Sequence, residues 1–333
     1  MYDSHTDEDY NSDRILVFAT RENLRLLFSS TIWFLDGTFD TVPSIFFQLF
    51  TIMGSVTQTY KGTERKIAIP LVYALLENKK EIAYSKVIEV TLSAAEEAGI
   101  RIRHPQIVMT DFELAIINAV KNHFGENIIR LCFFHLRQSI YRKIQSEGLQ
   151  QQYGDPNDNS IREAAHSMCA LAYVPPDNVP EIFDLFQNEM PEEFIPIATY
   201  FEINYVRGIR AIGRRKAVRV RYAPALWNQY NSVLQGVART NNASEGWHNR
   251  FQILVGCRHP SLYSFLTEIQ KEQADVEYMS REISLGKKVK KLPKSSQLRA
   301  EERIAAVVAA YQSYVDEENE LEYLKIIGHH LNT

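Results

Sequence analysis

Cysteine is scarce in this sequence. Its 333 residues hold three, Cys132, Cys169 and Cys257, spaced too widely for a disulfide framework, which fits a reducing compartment. No apolar run reaches the roughly 18 residues that a membrane span needs, so no membrane partner is expected. The opening MYDSHTDEDYNSD lacks the basic and then apolar order of a signal peptide. Residues 1–13 are expected to be disordered. Internal repeats and low-complexity tracts are missing as well. Net positive charge is also absent: the formal charge is -4, which by itself argues for no polyanion partner.

What the chain does have is apolar matter for a sizeable core, 45% hydrophobic and 11% aromatic residues, in a length that suggests two domains. Its charge is unevenly spread. Ile203–Arg221 carries seven Arg or Lys and no acid, Lys287–Arg299 carries six and no acid, and acids gather in Asp3–Asp13 and Asp316–Glu322. Each basic run reads either as a solvated face or as a nucleic-acid contact.

The organising stretch is Thr31–Phe39, TIWFLDGTF. By the period-2 rule Trp33, Leu35 and Phe39 share one face, and Ile32, Phe34 and Asp36 the other. Both faces are apolar, as in a central strand covered on both sides. A carboxylate there is costly unless something positive, such as a metal ion, meets it. Asp36-Gly37 reads equally as a hairpin turn. Ile45–Met53 is a second strand, Gly54–Glu64 a polar loop, and Arg65–Leu76 a third strand whose Pro70 assigns it to a sheet edge.

The period then lengthens. Lys80–Ala98 carries a helical stripe that stops at Gly99; a short strand, Pro105–Thr110, leads to Asp111 and a second helix; Asn127–Phe133 is a further strand, followed by a third helix. The order β-β-β-α-β-α-β-α, with right-handed crossovers, gives an α/β fold with a mixed five-stranded sheet of order 3-2-1-4-5. In that order Asp36 and Asp111 lie on parallel neighbouring strands, about 4.8 Å apart. Residues 155–239 read as a mostly helical insertion with a basic end. Helices return at Ser244–Leu254 and Ser261–Arg281, Lys287–Lys294 (KKVKKLPK) reads as a loop, and Leu298–Tyr314 as the last long helix. The expected divisions are a tail and short element at 1–30, a core in two parts at 31–154 and 240–283, the insertion at 155–239, and a basic loop with a C-terminal helix at 284–333.

Three acids stand out by position: Asp36, Asp111 and Glu245, the last in TNNASEGWHNRF at a helix start. Asp111 also reads as a helix cap, and Glu245 as a first-turn acid favoured by the helix dipole. Converging on one end of a sheet, three carboxylates suit hard cations, which take oxygen ligands. Two such ions, roughly 4 Å apart, stabilise both oxygens of an in-line phosphoryl displacement.

FLDGTF, the strand-end TDFE, CFFHLRQ and RTNNASEGWHNRF, in this order, resemble the Mutator-like element (MULE) transposases. So do RGIRAIG followed by WNQY, and HPSLYSFLTEIQKEQ; the resemblance runs from about Thr31 to Gln273. It implies a ribonuclease H-like fold with a helical insertion before the last catalytic acid. It implies that Asp36, Asp111 and Glu245 are a DDE triad holding two Mg²⁺ or Mn²⁺ ions. The implied reaction is cleavage of DNA at transposon ends, followed by attack of the 3′-hydroxyl on target DNA, in the nucleus; a homodimer is left open. Cys132-x-x-His135 matches the family signature and is not read as zinc, for want of a second ligand pair. His135 and Arg137 are candidate DNA contacts, as are Trp247 and His248 and the basic pair Arg214 and Arg215. Packing is the alternative for His135 and for Trp247, and a solvated helix face for Arg137. No Cys/His recognition module occurs in residues 1–30. Either the chain is a fragment, or end recognition lies elsewhere, or the protein no longer transposes; the alternative function is a domesticated, transposase-derived nuclear DNA-binding or regulatory protein that does not cleave.

Overall fold

The structure, a computed structural model, describes residues 1–6, 13–60, 62–209, 216–236, 242–289 and 295–331, with the backbone alone at 63, 242, 243, 245 and 295–297. In chain order the first elements are β1 (Tyr2–Asp3), β2 (Ile15–Phe18), α1 (Arg21–Ser29), β3 (Ile32–Thr38), β4 (Gln48–Tyr60), β5 (Thr63–Leu76), α2 (Glu81–Glu97), β6 (Ile107–Thr110), α3 (Leu114–Phe124) and β7 (Ile129–Leu131). Helices follow: α4 (Phe133–Ser146), α5 (Gln150–Gly154), α6 (Ser160–Ala170), α7 (Val179–Glu189), α8 (Ile195–Phe201), α9 (Pro224–Trp227) and α10 (Tyr230–Leu234). Then come α11 (Asn242–Val255), α12 (Leu262–Ser284), α13 (Ser295–Ala309), α14 (Tyr311–Asp316) and α15 (Glu320–His330). Two compact units divide the chain: Met1–Arg130 with Asn241–Lys291, and Leu131–Thr240 with Leu292–Thr333.

The first unit is built on a mixed sheet of order β1-β2-β5-β4-β3-β6-β7. It has seven strands where five were expected. The expected strands run β5-β4-β3-β6-β7 within it, and β1 and β2 extend it beyond β5. Residues 1–6, expected to be disordered, contain β1, which pairs with Leu16 and Val17 of β2. The Asp3 carboxylate, taking Arg14 Nε at 3.1 Å, fastens that edge. A second correction concerns Gly54–Glu64. Its polar residues read as a loop, yet β4 and β5 pair from Gln48↔Leu76 out to Tyr60↔Thr63. Polar side chains suit this strand because some are buried with partners: Gln58, 2% exposed, takes the amide of Val289 at 2.8 Å.

Pro70 does not mark a free edge strand, because β2 pairs with β5 at Tyr73–Leu76. The proline escapes the conflict locally. It lies beyond the reach of β2, and the β4 register jumps from Ile52↔Val72 to Met53↔Pro70, so Leu71 is an extra, bulged residue. Asn23 of α1 caps the irregularity, its amide donating to Leu71 O at 3.0 Å.

Strand β3 is central and buried from Ile32 to Asp36. Trp33 anchors it: its indole N–H donates to Leu27 O at 3.0 Å, and its ring meets Phe28 and Phe124 edge-on at 5.5 and 5.6 Å. A buried aromatic with its polar handle satisfied fixes the height of the strand along the sheet.

In the second unit the described residues form helices, with one isolated bridge, Ile209↔Val218. Its core holds Trp227, fully buried, whose N–H donates to Tyr205 O and Tyr222 O at 3.0 and 3.1 Å. Helix α15 crosses α6 so closely that a Cβ on Gly328 would come within 3.1 Å of the His166 backbone. The expected last helix, Leu298–Tyr314, is in fact α13 broken at Ala310 from α14, and α15 follows it unforeseen. The stretches 210–215 and 290–294, which hold much of the two basic runs, lie outside the described residues.

Candidate active site

Parallel pairing of β3 with β6 sets Ile32 beside Ile107 and Phe34 beside Met109. Carried two residues further, that register sets Asp36 beside Asp111, on the same face because both steps are even. Strand spacing then separates their backbones by about 4.8 Å. Asp36 is 6% exposed and lies opposite Thr51 of β4, two residues before β3 ends. One of its oxygens takes the amide of Gly37 at 2.9 Å.

Asp111 is mostly buried, and that burial pushes its carboxyl above the usual carboxylate range. The amide of Glu113, donating at 3.2 Å, and the charge of Lys79 pull the other way and only partly offset the desolvation. Asp111 therefore does what a helix-entry acid does, and is also a carboxylate held at an electrostatic cost.

His248 of α11 lies against Asp36. Its Nε2 is 3.2 Å from Thr51 Oγ1, and its Nδ1 is 3.7 Å from Asp36 Oδ2, beyond hydrogen-bond length. The Asp36 carboxylate favours a charged ring, burial disfavours it, and burial wins: the ring is pushed down to about 4. Near neutral pH His248 is an uncharged spacer that brings no positive charge to Asp36.

A chain of buried polar groups ties the start of α3 to the sheet. Gln48 of β4, 1% exposed, donates to Asn78 O at 3.0 Å and to Tyr84 Oη at 2.8 Å. Tyr84 donates to Glu113 at 2.7 Å, and burial and that carboxylate raise its phenol. Lys79 sits 3.6 Å from the other Glu113 oxygen. Gly37 makes room for this chain, because a Cβ there would come within 2.6 Å of Gln48 Oε1 and the Gln48 amide would have to shift. The Gly of Asp36-Gly37 thus serves close packing within a strand and not a hairpin turn.

The third acid, Glu245, lies in α11, and its side chain is outside the described residues. Its neighbours are placed. Trp247 is 5% exposed, stacks on Phe251 at 5.0 Å, and donates its N–H to Glu272 at 2.7 Å. It is a packing residue, the alternative kept open for it above. Glu272 of α12, 1% exposed, also receives Arg250, so α11 is locked onto α12 by a buried carboxylate. That role was not read from the sequence; the only signal was an acid on the apolar side of the α12 stripe. Met53 receives the Ser244 hydroxyl at 2.9 Å, which ties α11 to β4 just ahead of Glu245.

His135 and Arg137 belong to α4, in the second unit. Burial and Arg142 push the His135 ring below its usual range, and Arg137 lies near enough to His166 and Cys169 to influence both. Cys132 is fully buried. Arg214 and Arg215 lie outside the described residues.

Residues 32–139 match the family model of the MULE transposase domain. The chain carries a MULE transposase domain. The match takes in Asp36 and Asp111, the FLDGTF and TDFE motifs, and His135; Glu245 falls after it. Comparison with curated proteins and with solved structures returns no match. Among the described residues no three His, Cys, Asp or Glu gather closely enough to hold a metal ion. Carboxylates such as those of Asp36 and Asp111 are of the kind that fits Mg²⁺, which binds one or two carboxylates and fills its remaining positions with water and phosphate. No helix among the described residues is long and apolar enough to cross a membrane.

Proposed function

We propose that this protein is a DDE transposase that cleaves DNA at transposon ends and joins the freed 3′-hydroxyl to target DNA, in the nucleus. The observation that supports the reading is the parallel β3–β6 register, which, extended by two residues, sets Asp36 beside Asp111 within the stretch that matches the transposase domain model. Asp36, Asp111 and Glu245 are the residues that would hold two Mg²⁺ or Mn²⁺ ions. Such ions supply the positive charge that stabilises the entering and leaving oxygens of an in-line displacement. The protein's part is positional. Asp36 is fixed by the Gly37 amide and by its place in a central strand, and Asp111 by the Glu113 amide. His248, uncharged, closes one side of Asp36 without competing for the cations. The Gln48–Tyr84–Glu113 chain ties the start of α3, just after Asp111, to β4 and α2.

The test is metal-dependent nicking of duplex DNA by wild type and by Asp36→Asn. Wild type nicks; the variant binds DNA as well as wild type and does not nick. Equal nicking by clean preparations of both refutes the role of Asp36. DNA binding without nicking by wild type makes the non-cleaving nuclear factor the correct reading.

A further inference from the structure

Asp36 and Asp111 both lie at the C-terminal ends of parallel strands, so they mark one end of the sheet. That end carries an exposed aromatic patch. Phe39, just past β3, and Phe47, just before β4, are 39% and 49% exposed, and their rings meet edge-on at 5.5 Å. Ile45 between them is 57% exposed. Lys79, from the β5–α2 connection, places its ammonium 4.0 Å from the Phe39 ring centre and 5.6 Å from that of Phe47. The same ammonium lies within electrostatic reach of Asp111.

The backbone that carries the patch is held in place. Phe46 beside it is buried, and its amide donates to Pro43 O at 2.8 Å. The amide of Phe47 donates to Leu76 O at 2.8 Å, which pins the patch to the end of β5. The turn between α11 and α12 clamps the same link: His259 Nδ1 lies 3.1 Å from Val42 O, and Arg258 lies 3.5 Å from Asp40. A link held this firmly has no need of two exposed phenylalanines for its own fold.

We propose that Phe39, Phe47 and Lys79 form a stacking platform for unpaired DNA bases next to the scissile phosphate. The proposal rests on the cleavage reading above and adds to it a substrate form, a duplex opened at the cleavage position. The chemistry selects nucleic acid over a protein partner. The Lys79 ammonium, over one face of the Phe39 ring and 3.6 Å from Glu113, can meet a phosphate, and bases stack on the ring faces it leaves open. Bases of any identity stack, so the platform selects an open helix and not a sequence.

The experiment uses the full chain without divalent cation. One duplex carries 2-aminopurine at an unpaired position, and a second is fully paired. Wild type is expected to bind the open duplex more tightly and to quench its fluorescence. Phe39→Leu with Phe47→Leu keeps apolar volume and removes the ring faces. It is expected to lose affinity for the open duplex by about 5- to 150-fold per stacked base, with affinity for the paired duplex unchanged. The same preference in the variant, or none in wild type, overturns the proposal. So does dimerisation in sedimentation that the variant abolishes while the DNA preference stays, which makes the patch a self-association surface. Nicking by wild type without this preference sinks the platform alone; preference without nicking sinks the cleavage reading alone.

Discussion

His248 gives this fold an acid sensitivity whose size can be worked out. The ring titrates near 6.5 in an unfolded chain and near 4 when folded, because burial disfavours its charged form. Between those values the unfolded chain binds a proton that the folded one refuses, so stability falls as pH drops. At pH 5 the loss is about 2 kcal/mol, and it levels off near 3 kcal/mol once pH is below 4. His248→Gln keeps a polar group facing Thr51 and removes the titration. Urea unfolding, followed by tryptophan emission at pH 7 and pH 5, measures the difference. Trp33 and Trp247 both report on the first unit, and the Trp247 ring is 5.1 Å from that of His248. Wild type should lose about 2 kcal/mol more than the variant over this interval. His166 is also pushed down to about 4, but it is present in both proteins and cancels in the comparison. Parallel pH dependences of the two proteins would show that the ring is not held neutral by burial, and would refute the reasoning.

Three further outcomes follow from the same geometry. Asp111→Asn should raise the melting temperature at pH 7, because a raised carboxyl pKa means that the folded state resists ionisation; each kcal/mol regained is worth about 2–4 °C, and the gain should vanish below pH 4. Gly37→Ala should cost about 1–3 kcal/mol in urea unfolding, since the new Cβ displaces the Gln48 amide and leaves buried groups unpaired; a neutral effect would show that Gln48 repacks freely. Glu272→Ala should cost about 3–5 kcal/mol, because Arg250 and the Trp247 N–H lose a buried carboxylate; a change below about 1 kcal/mol would mean that the pair adds little beyond packing.

The parallel pairing of β3 with β6 was legible in the sequence because it depends on two things that sequence carries well. Apolar faces on both sides of Thr31–Phe39 mark a centre strand, and a crossover helix forces a parallel neighbour. The strands β1 and β2 were not legible as sheet. YD is too short to show a period, and ILVF reads as helix or strand alike. The length of the β4–β5 hairpin was hidden by its own composition, since Ser55 and Gln58 resemble loop residues until their burial and partners are known. Pro70 misled for a similar reason. A proline forbids a partner at one position, and β2 stops short of that position. Glu272 was not read as a structural anchor because its one signal, an acid on the apolar side of the α12 stripe, does not name the Trp247 and Arg250 that meet it.

The first unit is made of two stretches of chain separated by 110 residues, from Leu131 to Thr240. During synthesis at about 5–20 residues per second, β3 and β6 are complete roughly 7–26 s before α11 begins. Throughout that interval the β4–β5 surface that later receives α11 lacks its cover. The nascent protein thus carries an unfinished first unit with apolar surface open, and Glu245 is made only after Leu131–Thr240, the first stretch of the second unit, has been translated.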